Sequence, residues 1–271
     1  MQFSKLVSTP RASALGDAVT ALNTSHAVYI NPASIASQKG SMLTSQLFHY
    51  VEDISYKSMQ FTHAFENTVL GISYNWLDYG AYSKTTTSDK EGAHSGSVSN
   101  SSKVVVFTMA RRFFNVNTGL SFKSFREKLA NYKAKQSSLD LGLLWSVNSQ
   151  FSLGASINDI SLSKAVFIND EASLEQVSRI GMSLKPRIFK SKIHIMTDAI
   201  LKYNSDLSVA SGIDISLHPK CSVRAGFTTI SDIIGPTFGL GFLSDSFECD
   251  FSYRPSKVFN DIYRMALNLY F

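Results

Sequence analysis

Residues 263–271 alternate without a break. Tyr263, Met265, Leu267, Leu269 and Phe271 fall on one face, and Arg264, Ala266, Asn268 and Tyr270 on the other. That period of two belongs to a β-strand, not to a helix. The same zigzag recurs along the chain. Leu70, Ile72, Tyr74 and Trp76 oppose Val69, Gly71, Ser73 and Asn75, and Leu139, Leu141, Leu143 and Trp145 oppose Asp140, Gly142 and Ser146. Phe151 to Ile157, Ile180 to Leu184, Ile213 to Leu217 and Phe247 to Tyr253 repeat it, with Gly, Ser and charged residues on the second face. Alternation of this kind fits a soluble β-sandwich, with its apolar face packed on another sheet, and equally a membrane barrel, with its apolar face on lipid.

Segment length separates the two. Strands that cross a bilayer at a tilt need about nine to eleven residues, against about five or six in ordinary sheets. About fourteen segments of the longer kind can be marked: 43–51, 55–65, 68–80, 103–113, 115–128, 136–147, 150–160, 174–185, 192–203, 206–218, 221–229, 236–243, 246–254 and 261–271. Polar pairs at Glu66–Asn67, Asn148–Ser149, Asn204–Ser205 and Ser244–Asp245 read as tight turns. Residues 81–102, 161–173 and 229–235 read as longer loops, giving the asymmetry of outer-membrane barrels. The expected fold is therefore all-β, a single transmembrane antiparallel β-barrel of about fourteen strands (residues 41–271) in a bacterial outer membrane. A terminal strand ending on Phe271 matches the aromatic closing strand read by barrel-insertion machinery, with Tyr263, Met265, Leu267 and Leu269 on its lipid face.

Composition changes little. Hydrophobic residues make up 44% and no stretch approaches the ~18 apolar residues of a membrane helix. The net charge of +5 comes from Lys and Arg spread through turns and strands, which fits solvated turns and a charged lumen better than a nucleic-acid surface. Cys221 and Cys249 sit in different strands about one hairpin apart, which leaves a disulfide open but favours bystander thiols, and six histidines without ligand spacing predict no metal. No nucleophile elbow, phosphate loop or dinucleotide fingerprint occurs; the Gly239–Gly241 pair belongs to a strand. His49 with Asp53 reads as a hairpin end and Arg126 with Glu127 as a solvated turn, so no catalytic set and no cofactor are expected.

Residues 1–40 differ in kind. Ser13 to Leu22 reads as a small helix, and Asn31-Pro32 as a turn that ends regular structure. Too short for a core of its own, this segment is expected to fill part of the lumen or pack at its periplasmic mouth. Met1 to Thr9 has no apolar signal core, so an export signal is taken as already removed.

The run RASALGDAVTAL followed by INPASIAS resembles the start of the PorV/PorQ group of outer-membrane proteins, themselves similar to the FadL fatty-acid transporter. The matching positions are Arg11, Ala12, Leu15 and Gly16, then Asn31, Pro32 and Ala33. The likeness continues through Asp53, Ile54 and Tyr56, Leu77 to Gly80, and residues 121–132, 138–145, 155–161 and 224–227. Asp17 departs from it, standing where a small residue is common, and the loops are modest.

With Tyr263, Leu267 and Phe271 on lipid, register points Lys123, Asp140, Asn158, Arg179, Asp198, Asp214, Arg224, Asp250 and Arg264 into the lumen. Both signs occur, so pairing is expected, since unpaired buried charge is costly. The PorV/PorQ resemblance implies an accessory scaffold that assists protein secretion with other outer-membrane proteins, and the close N-terminal match and modest loops favour it. The FadL resemblance implies the alternative, uptake of a hydrophobic ligand released sideways through the wall near the N-terminal segment.

Overall fold

The computed structural model describes residues 7–49, 54–91, 96–167, 170–186, 192–203, 205–229, 234–256 and 261–271. Asp53 and Asn204 lie outside them. The chain opens with a short helix, α1 (Pro10–Ala14), and 3-10 turns at Ser25–Ala27 and Pro32–Ile35. Strands follow: β1 (Ser41–His49), β2 (Ser55–Phe65), β3 (Thr68–Ser83), β4 (Ser97–Phe113), β5 (Val116–Leu129), β6 (Tyr132–Ser146), β7 (Phe151–Ser161), β8 (Ala165–Phe167) and β9 (Asp170–Ala172). The remainder are β10 (Val177–Leu184), β11 (Lys192–Lys202), β12 (Ser208–His218), β13 (Cys221–Thr228), β14 (Gly235–Leu243), β15 (Phe247–Arg254) and β16 (Ile262–Tyr270). All but β8 and β9, which form a small hairpin between β7 and β10, join one closed antiparallel barrel of fourteen strands. Between Ser41 and Phe271 the closing ladder of β1 on β16 is completed by reciprocal backbone hydrogen bonds of 3.1 and 3.0 Å.

Closure leaves no sheet edge, the condition for a sheet to exist in lipid. The molecule is apolar outside and polar within. Met265 is 59% and Ile180 68% exposed, whereas Asp140, Asp198 and Asn268 are fully buried. A nine-residue strand climbs about 23 Å along the axis at a tilt of ~40°, enough for the hydrocarbon layer. Aromatic side chains rim both edges of the outward band, Phe65, Phe113, Trp145, Phe242 and Phe271 at the end holding the tight turns and Tyr203, Tyr253 and Tyr263 at the other.

Four features depart from the sequence reading. The helix expected over Ser13–Leu22 is only Pro10–Ala14, because Gly16 and Asp17 adopt φ values of +66° and +65° that end it. Thr9 caps it by accepting from Ala12 N at 3.2 Å, with Pro10 in the first turn. The loop read over 81–102 is shorter: a bulge between Asp78 and Ala81 lets β3 continue to Ser83 against Ser97–Ser99 of β4. The connection between β11 and β12 lies at the loop-bearing end, not with the tight turns. A bulge between β6 and β7 places both Asn158 and Asp159 inside, where strict alternation would send Asp159 to lipid. Cys221 and Cys249 are free and pair with Phe242 from opposite sides, about 9.6 Å apart across two strand spacings, too far to bridge.

Residues 8–36 run inside the barrel and are mostly buried. Glycines of the wall let their backbone approach. A methyl group at Gly119 or Gly142 would collide with Asn31, Pro32 or Ala33, at Gly154 with Thr20, at Gly212 and Gly226 with Leu15 or Gly16, and at Gly239 with Ala14. This belt lies three to five residues from the tight-turn end of most of its strands, while Ser8 and Asp17 meet Arg264 and Arg254 near the other end, so the plug spans the lumen. Gly142→Val should therefore displace the plug while the barrel still folds, at a cost of about 1–3 kcal/mol. Planar-bilayer conductance should rise and protease should cut within residues 8–36, whereas Gly235→Ala, with open space around it, should change neither.

Candidate functional site

The two sides of the plugged lumen have opposite chemistry. Along β12–β16 the wall is charged and fastens the first part of the plug. Arg11 reaches Asp214 at 3.0 Å and Glu248 at 3.3 Å. Arg224 pairs with Asp214 at 3.2 Å and with Asp250. His26 lies 3.0 Å from Glu248 and 3.6 Å from Asp250, and Tyr270 donates to Glu248 at 2.6 Å. Three carboxylates thus face two guanidiniums and an imidazole. His26, Glu248 and Asp250 bring three donor atoms together, but Arg11 and Arg224 already occupy their carboxylates.

A second fastening runs through Asp17. It accepts from Ser8 at 2.6 Å and pairs with Arg254 at 3.1 Å, while Arg179 donates to its backbone oxygen at 3.2 Å. Arg264 donates to Ser8 O at 3.1 Å and lies over the Phe48 ring at 4.2 Å. Asp198 receives both the backbone N–H and the hydroxyl of Thr20, at 3.0 and 2.6 Å. Asn31 is the wedge of the last part of the plug: it donates to Thr20 O at 2.7 Å and Leu143 O at 3.0 Å, and caps the following turn by accepting from Ala33 N at 3.0 Å. Pro32 starts that turn, which gives the Asn-Pro-Ala run its physical reason. Gly16 stands at positive φ with its backbone against Phe227, where a side chain would collide.

On β5–β7, Lys123 bridges Asp140 at 2.7 Å and Asp159 at 2.9 Å, and Asp159 N donates to Asp140 at 2.9 Å. Asn158 beside them accepts from Ser156 at 3.2 Å. Every lumen position named from the sequence lies inside the barrel, Arg179 half-buried and the others buried. They do not form one site. Lys123 and Asp140 belong to the β5–β7 cluster, Asp214, Arg224 and Asp250 to the Arg11 cluster, and Arg179 and Arg264 to the contacts around Asp17 and Ser8. Sequence reading missed Asp159, which only the bulge turns inward, and His26, Glu248 and Arg254. Glu248 and Arg254 stood on a polar strand face; nothing in the sequence marked His26.

The opposite side is uncharged, with Thr44, Gln46, Ser58, Gln60, Thr62 and Asn75 buried among apolar side chains. Buried inward positions of β1–β4 carry no charge, and Phe48, Tyr56, Leu77, Val104 and Phe125 pack in one cluster with Val28, Tyr29 and Ile35 of the plug. Phe48 stacks on Tyr56 at 4.5 Å, and the Tyr56 hydroxyl donates to Asn75 at 2.7 Å. Beneath it, a small cavity separates Tyr29 from Gln60, Thr62, Gly71, Ser73 and Thr108 of the wall. The sideways gap implied by the FadL resemblance is not open, because each barrel strand pairs with both neighbours.

The architecture is thus that of a plugged, fourteen-stranded outer-membrane-type barrel. Among solved structures it is similar to CymD, a monoaromatic hydrocarbon channel, with a TM-score of 0.64, 12% identity and 97% of each chain covered. It is also similar to the toluene transporter TodX of Pseudomonas putida, with a TM-score of 0.56, 13% identity and 96% of each chain covered. For a FadL homologue of Pseudomonas aeruginosa the TM-score is 0.60 at 9% identity, covering 97% of this chain and 98% of that one. No family model and no curated protein sequence matches the chain. By their descriptions these neighbours are a channel, a transporter and a FadL homologue, and an outer-membrane location is consistent with them and with the apolar exterior. The PorV/PorQ assignment is not shown by these likenesses.

Asp17 offers a test of the fastening. Burial would raise its pKa, but Arg254, the Ser8 hydroxyl, Arg264 and Arg179 together hold it below the usual carboxylate value. A lowered folded pKa means stability that is present above the unfolded value near ~3.9 and is lost as pH falls through the folded one. Asp17→Asn should cost about 3 kcal/mol at neutral pH, read as a lower thermal midpoint. The gap to wild type should close as pH drops below about 4.

Proposed function

We propose that the protein conducts hydrophobic small molecules across the outer membrane, along the uncharged side of its lumen. The observation that carries this reading is the uncharged inner face of β1–β4. Phe48, Tyr56, Leu77, Val104 and Phe125 lead from the loop-bearing end to the cavity beside Tyr29. Such a surface carries no charge to hold an ion, whereas an apolar solute exchanges contacts with its aromatic and aliphatic side chains. The hydrocarbon channels and transporters among the structural neighbours support the same chemistry. The accessory-scaffold reading draws on the N-terminal resemblance and on the filled lumen, and it requires partner proteins.

Uptake of labelled toluene by intact cells that carry or lack the protein, whose lipopolysaccharide leaflet slows passive entry, separates the two. Protein-dependent influx of toluene but not of a sugar is expected, and Leu77→Asp or Phe125→Asp should lower it about tenfold or more, because an unpaired carboxylate in the column is costly. Influx no greater than in cells lacking the protein, together with stoichiometric barrel or lipoprotein partners after native purification, would replace the transporter with the scaffold.

A further inference from the structure

Lys57, Lys103, Arg126 and Lys135 occupy one cross-strand row, with Trp76 between the first two, on the outward face of β2–β6. The four basic residues are exposed. One step further from the membrane, Lys128 faces Lys133 on the same side. Lys57 and Lys103 lie 5.7 and 5.3 Å from the centre of the Trp76 ring. Among the described residues none of the six cations has an ion-pair partner; Lys128 donates to Ser99 at 3.3 Å. The acid on this face, Asp78, accepts from Gly80 N at 3.1 Å.

Like charges directly opposed on a sheet repel, and here Lys103 opposes Arg126, which opposes Lys135. The row is inclined: with strands tilted ~40°, directly paired residues shift by about 3 Å along the barrel axis per strand, so Lys57 and Lys135 differ by about 12 Å in height. Two register steps toward the tight-turn end lies the apolar row Phe61, Ile72, Phe107, Phe122 and Leu139, so the cations sit where headgroups meet acyl chains. The patch spans five strands, about 19 Å. That width exceeds one phosphodiester and matches a headgroup carrying several phosphates.

We infer that this face is a binding site for a diphosphorylated glycolipid of the lipid A type in the leaflet at the loop-bearing end, with phosphates on the basic row and acyl chains on the apolar row below. Tight turns face the periplasm in outer-membrane barrels, which makes this the outer leaflet. The site is independent of what the lumen conducts.

The whole protein, purified in non-ionic detergent and mixed with defined lipids, can be read by native mass spectrometry. Lipid A should be retained over its dephosphorylated analogue, phosphatidylglycerol and phosphatidylcholine, and should be released by raised salt. In K103Q/R126Q/K135Q retention should fall at least about tenfold, while K220Q at the opposite end retains lipid A like wild type. Folding of each variant is checked by its heat-dependent shift in electrophoretic mobility. If the triple variant does not fold, wild-type discrimination between lipid A and its dephosphorylated form decides. Equal retention of those two lipids, of lipid A and phosphatidylglycerol, or by wild type and a folded triple variant would overturn the site.

Discussion

Fourteen strands make a cylinder wider than its own side chains can fill, since about eight strands is the width at which inward side chains meet. The rest of the structure depends on how that space is closed. Residues 8–36 fold into the lumen with little regular structure, so their backbone must satisfy its polar groups against the wall and one another. Close approach makes this feasible. Gly119, Gly142, Gly154, Gly212, Gly226 and Gly239 remove side chains where Ala14, Leu15, Gly16, Thr20 and Asn31 to Ala33 pass. The same residue type that weakens a strand is here the recess into which another backbone fits.

The plug is held differently on its two sides. Its first part is fastened by ionised groups with specific partners, Arg11 on Asp214 and Glu248 and Asp17 on Arg254. Its last part, from Val28 to Ala36, meets β1–β5 through apolar packing, with Asn31 as wedge. Paired buried charges give orientation more than net stability, so the charged side sets where the plug sits. The lumenal charges have structural work enough without ions crossing the barrel.

Most of the architecture was legible because a period of two is imposed by lipid outside and polarity inside. Segment length and number followed from it, as did the inward direction of Lys123, Asp140, Arg224 and Asp250. What was not legible depends on events between strands. Asp159 turns inward only because β7 bulges opposite Asp140, and β3 outlasts Gly80 only because β4 offers it a partner. The length of α1 was misjudged because Ala-rich propensity over residues 13–22 ignores the positive φ that Gly16 and Asp17 adopt against Phe227. Lys57, Lys103, Arg126 and Lys135 look scattered in sequence and become a row only when four pairing registers are known.

The asymmetry of the plug also bears on how a filled lumen can serve passage. Detaching the charged side would strand Arg11, His26 or Asp17 without partners, and removing one partner of a buried pair costs about 3–5 kcal/mol. Parting the other side breaks uncharged contacts only, the Asn31 hydrogen bonds to Thr20 O and Leu143 O among them, each of which costs less to lose than a partner of a buried charge. Movement confined to Val28–Ala36, hinged on the fastened part, is therefore the least costly way to open a path in this barrel. Such a path would lie beside Gly71 and Thr108, where the cavity already separates plug and wall. In the transporter proposed above, selectivity would rest on the uncharged side of the plug yielding while the charged side holds.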